Sequence, residues 1–207
     1  TGRAYAQKAN AFLHWWHDHQ NYHWGQAGGN ATALGHAELL AGYALFYDWC
    51  YDALSVADRA YHARSIYSLL TDDENLYAFA FGDWRFANWY DNNHMGVIFG
   101  AAGLAALALD QDDPVFDATA RDSIAWYRVK AAERIRDYLD AGFPDEGAGI
   151  EGMLYAMYGL HLALPYCLAT QRLRTVEAGY DPLPASMRVD EPRNAYQVPT
   201  WLYYEQL

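Results

Sequence analysis

The chain has 207 residues, 53% hydrophobic and 16% aromatic, which is enough for one domain with a large core and excludes a disordered chain. Its formal net charge is −12, from 26 acidic and 14 basic residues, so it lacks the clustered Lys and Arg of a nucleic-acid or anionic-membrane surface. No run of about 18 apolar residues suggests a membrane span, and no basic-then-apolar start suggests a signal peptide.

The opening Thr1-Gly2-Arg3-Ala4 reads as mid-protein sequence. Lys8 and Lys130 are the only lysines; the other basic residues are Arg, which suits bidentate recognition of carboxylates. Cys50 and Cys167 lie in apolar, helix-like segments, and sequence leaves open whether they pair.

In chain order the pattern is helix after helix. Residues 4–24 carry apolar positions at helical spacing and end at a Gly-rich break, 25–29. A second helix is predicted over 32–51, with Leu39, Leu40, Tyr43, Ala44 and Tyr47 on overlapping faces. Ser55, with Asp58 three residues on, reads as the cap of a third helix reaching Leu70. A polar and aromatic loop, 71–91, follows. The fourth helix, from Asn93 to about Leu109, is small and apolar nearly all round and should be buried. Pro114 is expected to open a fifth helix reaching about Asp140, with Lys130, Glu133, Arg134 and Arg136 on a charged face. A Gly-rich turn, 143–149, leads into a sixth, over 150–173. Residues 175–207 contain Pro182, Pro184, Pro192 and Pro199 and read as irregular. Helices of this length joined by loops fit antiparallel helix pairs, an all-α array.

Two segments could carry chemistry. Asn88-Trp89-Tyr90-Asp91-Asn92-Asn93-His94 places carboxamides, a carboxylate and an imidazole just before a helix N-terminus. Carboxamide donors at the positive end of a helix can neutralise an anion, and a His that titrates near neutral pH can move protons. The same residues also suit an elaborate N-cap, with Asn92 or Asn93 capping. In the second segment, Gly147 to Tyr158, glycines allow a tight turn, and Tyr155 and Tyr158 then share one helix face. Such tyrosines serve as acid or base when nearby positive groups lower their pKa, or are core residues with wet hydroxyls.

Together these segments resemble the heparinase II/III-like polysaccharide lyases and the related alginate and oligoalginate lyases. The resemblance runs over roughly residues 35–165. It rests on Tyr47-Asp48-Trp49 followed by Leu54-Ser55, on Asn88-Trp89 with Asn92-Asn93-His94, and on Gly147, Glu151-Gly152, Tyr155 and Tyr158, in that order. It implies a helical α/α toroid over 1–207, here either a piece of a longer chain whose β-rich C-terminal region is missing or a single-domain relative with an incomplete site. It also implies β-elimination at a uronic acid unit of an acidic polysaccharide, in a secreted or periplasmic setting, with no metal or other cofactor. By the resemblance, Asn93 with His94 neutralises the substrate carboxylate. Tyr155, with Tyr158 next in line, removes the adjacent proton or protonates the leaving oxygen. Asn88, Trp89, Arg85, Asn92 and Glu151 would bind substrate. Arg85 is the nearby cation for a uronate, or else an ion-pair partner of Asp83 or Asp91.

Other readings stand beside this one. His14, His17, His19 and His23 have spacings usable for a zinc pair, without an evident third ligand. They equally suit a solvated or groove-lining aromatic helix, and Trp15-Trp16 could stack on sugars. A toroidal glycoside hydrolase would use paired carboxylates among Asp145, Glu146, Glu151 and Asp91. A carbohydrate-binding toroid would bind sugars and turn nothing over.

Overall fold

A computed structural model describes residues 2–19, 30–71, 92–109, 113–143 and 152–176. These residues form an all-α structure with no strand among them. The helices are α1 (Gly2–His19), α2 (Asn30–Cys50), α3 (Val56–Leu70), α4 (Asn93–Ala108), α5 (Ala118–Gly142) and α6 (Met153–Val176), with a 3-10 turn at Tyr51–Ala53.

Helix starts follow local chemistry. Ser55 caps α3: its Oγ accepts from the Asp58 amide at 3.1 Å and donates to Asp58 Oδ2 at 2.7 Å. Asn92 caps α4, with its Oδ1 accepting from the His94 amide at 2.9 Å. The fifth helix departs from expectation. Pro114 sits in a turn that Asp113 closes by accepting from Val115 and Phe116, and the helix starts after Asp117, which accepts from the Ala120 amide at 2.8 Å. A carboxylate at the N-cap satisfies an otherwise orphaned amide, a stronger start signal than a proline three residues earlier. The last helix begins at Met153 and runs to Val176, three residues later at each end than its apolar pattern indicates.

The small residues of α4 decide the packing. Side chains from Met95 to Ala106 are buried, so the helix is enclosed on every face. A Cβ built on Gly96 would lie 2.4 Å from the Gly159 carbonyl oxygen, one on Gly100 2.6 Å from the Leu162 carbonyl carbon, and one on Gly103 2.4 Å from the Tyr166 ring. The register advances in the same sense on both helices, so α4 and α6 run parallel at close approach. Helix α5 runs antiparallel across them. Near its end Tyr138 meets Gly96 and Gly159; near its middle Arg128 reaches the far end of α4. The Arg128 guanidinium donates to Ala106 O at 2.8 Å and Leu109 O at 2.7 Å, satisfying carbonyls that the helix end leaves open. Helices α2 and α3 are also antiparallel: His36 bonds to Leu69 O at 2.8 Å, and Tyr43 to His62 at 2.6 Å.

A buried polar relay docks α1. The Tyr43 hydroxyl is hydrogen-bonded to His62 Nδ1 at 2.6 Å, and His62 Nε2 donates to Asn10 Oδ1 at 2.5 Å. Beside it His14 stacks on Tyr61 with ring centroids 3.9 Å apart and bonds to Asp58 Oδ1 at 3.0 Å. Tyr61 donates in turn to Asp18 at 3.0 Å, and burial followed by Asp18 pushes its hydroxyl up to about 12. Among the described residues no three His, Cys, Asp or Glu side chains cluster to hold a metal. His14 packs on Tyr61 and hydrogen-bonds to Asp58; the side chains of His17, His19 and His23 lie outside the described residues. No helix among the described residues is long and apolar enough to cross a membrane. Cys50 and Cys167 are free thiols.

Candidate functional site

Of the residues singled out in the sequence, Asn92, Asn93, His94, Tyr155 and Tyr158 are described; Arg85, Asn88, Trp89 and Glu151 lie outside the described residues, as do Asp83, Asp91, Asp145 and Glu146. The fold gathers the five at one end of the bundle. Parallel packing brings the first turn of α4 against the second turn of α6, and a Cβ on Gly159 would lie 3.1 Å from the Asn93 Cα.

The roles that these positions can play differ. Asn92 uses its carbonyl oxygen as the cap of α4, which leaves its amide hydrogens as the group that could meet an anion. Asn93 is 3% exposed, in the contact between α4 and α6. His94 is half-buried, and burial lowers its pKa from the ordinary value, which favours the neutral imidazole. Tyr155 stands in solvent, 54% exposed. Tyr158 is half-buried, and its hydroxyl is raised above the ordinary phenol value by burial and then by the Glu38 carboxylate to which it hydrogen-bonds. A lowered tyrosine pKa, the usual route to a phenolate base, does not apply to Tyr158.

Sequence reasoning passed over two residues here. Glu38, on α2, receives the Tyr158 hydroxyl and also His161 Nε2 at 2.8 Å. His161, one turn after Tyr158, stacks on it with centroids 5.1 Å apart and planes 12° from parallel, while its Nδ1 donates to the Tyr158 carbonyl oxygen. The i, i+3 spacing could have flagged His161. Nothing local to Glu38 marks it, because its partners are more than 100 positions away.

A groove of about 660 Å³ lies at the opposite end, between the later halves of α2, α4 and α6. Leu45, Trp49, Leu104, Leu107 and Leu168 line it, with Asp48 and Arg172, so it is apolar and remote from the Asn–His–Tyr cluster. No protein-family model, no curated protein and no solved structure matches this chain.

Proposed function

We propose that the protein is a polysaccharide lyase that cleaves a uronic-acid-containing polymer by β-elimination. One observation carries the reading: two of the three segments of the lyase resemblance, far apart in sequence, come together where Gly159, the residue after Tyr158, packs on Asn93. A carboxamide-capped helix N-terminus and an imidazole then stand at the same end as a pair of tyrosines. The parallel run of α2, α4 and α6, interleaved with antiparallel α3 and α5, supports an α/α toroid, whose inner and outer helices alternate in this way.

The chemistry asks three things of such a site. Donors must neutralise the uronate carboxylate, which acidifies the adjacent C-5 proton; Asn92, Asn93, His94 and the positive pole of α4 are the groups for this. Preplaced donors of this kind typically contribute about 2.7–4 kcal/mol each to transition-state stabilisation. A base must take the C-5 proton, and an acid must protonate the oxygen that leaves C-4; one tyrosine of the pair Tyr155 and Tyr158 fills these roles. The closed α4–α6 contact, with Asn93 inside it, means that substrate would meet Asn92 and His94 first.

The polymer would be anionic and the protein is acidic, so binding would depend on local donors and not on overall charge. A secreted or periplasmic location belongs to the same reading. To test it, the protein is mixed with alginate, heparan sulfate, hyaluronan and a neutral glycan while ultraviolet absorbance is followed. A rise with one acidic polymer, reporting the new double bond, is expected. New reducing ends without absorbance would indicate instead a hydrolase, and binding without either signal a carbohydrate-binding toroid.

A further inference from the structure

We propose that Tyr158, rather than Tyr155, is the reacting tyrosine of this site, and that Glu38 and His161 are the pair that positions it. The inference rests on the lyase reading and deepens it. Tyr155 projects into solvent, whereas Tyr158 is held on three sides: its hydroxyl by Glu38, its ring by His161 and its carbonyl by His161 Nδ1. Glu38 is itself fixed by His161 Nε2 at 2.8 Å. Both His161 nitrogens face oxygen atoms, Nδ1 the Tyr158 carbonyl and Nε2 the Glu38 carboxylate. The three side chains come from two helices, and a reacting group needs this kind of support to keep its geometry. Glu38 and His161 keep side-chain exposures of 39% and 37%, so the cluster is open to substrate.

The arrangement also solves a chemical problem. Burial and the Glu38 charge keep the phenol protonated, so it can act as a base only if its own proton leaves as the substrate proton arrives. Glu38 is in place to take it. The C-5 proton passes to the Tyr158 oxygen as the phenolic proton passes to Glu38. The C-5 electron pair forms the C-4–C-5 double bond and the C-4–O bond breaks. The leaving oxygen then takes the proton from Tyr158, and Glu38 returns its proton to the phenolate. The net change is one proton moved from carbon to the departing oxygen.

Glu38 is the charged group acting on the phenol. Titratable groups at this end, among the described residues, also include His36 on α2, His94 on α4, Tyr138, Asp137 and Asp140 on α5, and Tyr155 and His161 on α6.

The test compares wild type with Tyr158→Phe, Tyr155→Phe, Glu38→Gln and His161→Gln. The first readout is the elimination rate on the polymer that wild type cleaves. Tyr158→Phe is expected to lose about 10²–10⁴-fold in kcat, the usual contribution of a positioned acid or base, while Tyr155→Phe keeps its rate within about threefold. Glu38→Gln and His161→Gln should lower kcat with little change in KM, and Glu38→Gln should shift the pH profile. The second readout needs no activity: the Tyr158 titration in protein carrying ring-labelled tyrosine, followed by NMR. Loss of the Glu38 charge should move it to lower pH, and an unmoved midpoint would overturn the pairing. An active enzyme in which Tyr155→Phe is silent and Tyr158→Phe is not would support the assignment; the reverse pattern overturns it alone. A wild type that eliminates no uronate overturns the catalytic role together with the lyase reading, with the titration still deciding the pairing.

Discussion

Gly159 sits so close to Asn93 that a methyl group on it would come within 3.1 Å of the Asn93 Cα and 2.0 Å of the Tyr138 hydroxyl. The contact is what joins the two halves of the candidate site, and its tolerance can be measured. Gly159→Ala and Gly100→Ala should each destabilise by about 1–3 kcal/mol, because backbone or a buried ring must move to admit the methyl. Gly42 is the control. It lies inside α2 with nothing within 4 Å of a Cβ, so Gly42→Ala should stabilise by about 0.5–1 kcal/mol through helix propensity. Urea unfolding of the three variants checks both signs.

Arg128 supplies a second measurable constraint. Its fork reaches two carbonyls at the C-terminal end of α4, where the helix dipole also favours a cation. Lysine carries the charge but not the fork, so Arg128→Lys should cost about 1–3 kcal/mol, the usual range for leaving a buried acceptor unmet. A variant as stable as wild type in the same assay would show that these carbonyls do not need the guanidinium.

Asp58 governs part of the acid response. Its carboxyl is lowered from 3.8 to about 2, chiefly by the Ser55 hydroxyl, then by His14 and Asn10. A folded pKa below the unfolded one means the carboxylate adds stability above pH about 4 and loses it as pH falls towards about 2. Melting temperatures between pH 5 and 2 should fall less steeply, within that window, for Asp58→Asn than for wild type. Parallel profiles would remove Asp58 from the account.

What the sequence could reveal divided along physical lines. The enclosed α4 was legible because Gly96 to Ala108 carries almost no polar residue, and the Ser55 and Asn92 caps because capping is local chemistry. The start of α5 was misplaced because Pro114 and Asp117 are both start signals, and only the hydrogen bond to Ala120 separates them. The meeting of Asn93 with Gly159 could not be read from spacing, since it depends on which small residues of α4 face α6. Glu38, and the His62 relay from Tyr43 to Asn10, were likewise illegible, because each joins residues on different helices.

The thiols differ in reactivity for a reason visible in the fold. Cys167 is 3% exposed and burial pushes its thiol up to about 12, while Cys50 is half-buried at the end of α2. An alkylating reagent at neutral pH should label Cys50 in the native protein and reach Cys167 only after unfolding, as peptide mass spectrometry would show. Equal labelling of both would mean that α6 opens readily.

The central claim is elimination, and mass balance on a defined uronate oligosaccharide tests it most directly. Fragments released by the wild-type protein should sum to the mass of the starting oligosaccharide, with the new non-reducing end one water lighter than a hydrolytic end. The Tyr158→Phe protein should release almost none. Fragment masses that sum to the substrate plus one water would show hydrolysis and contradict the account.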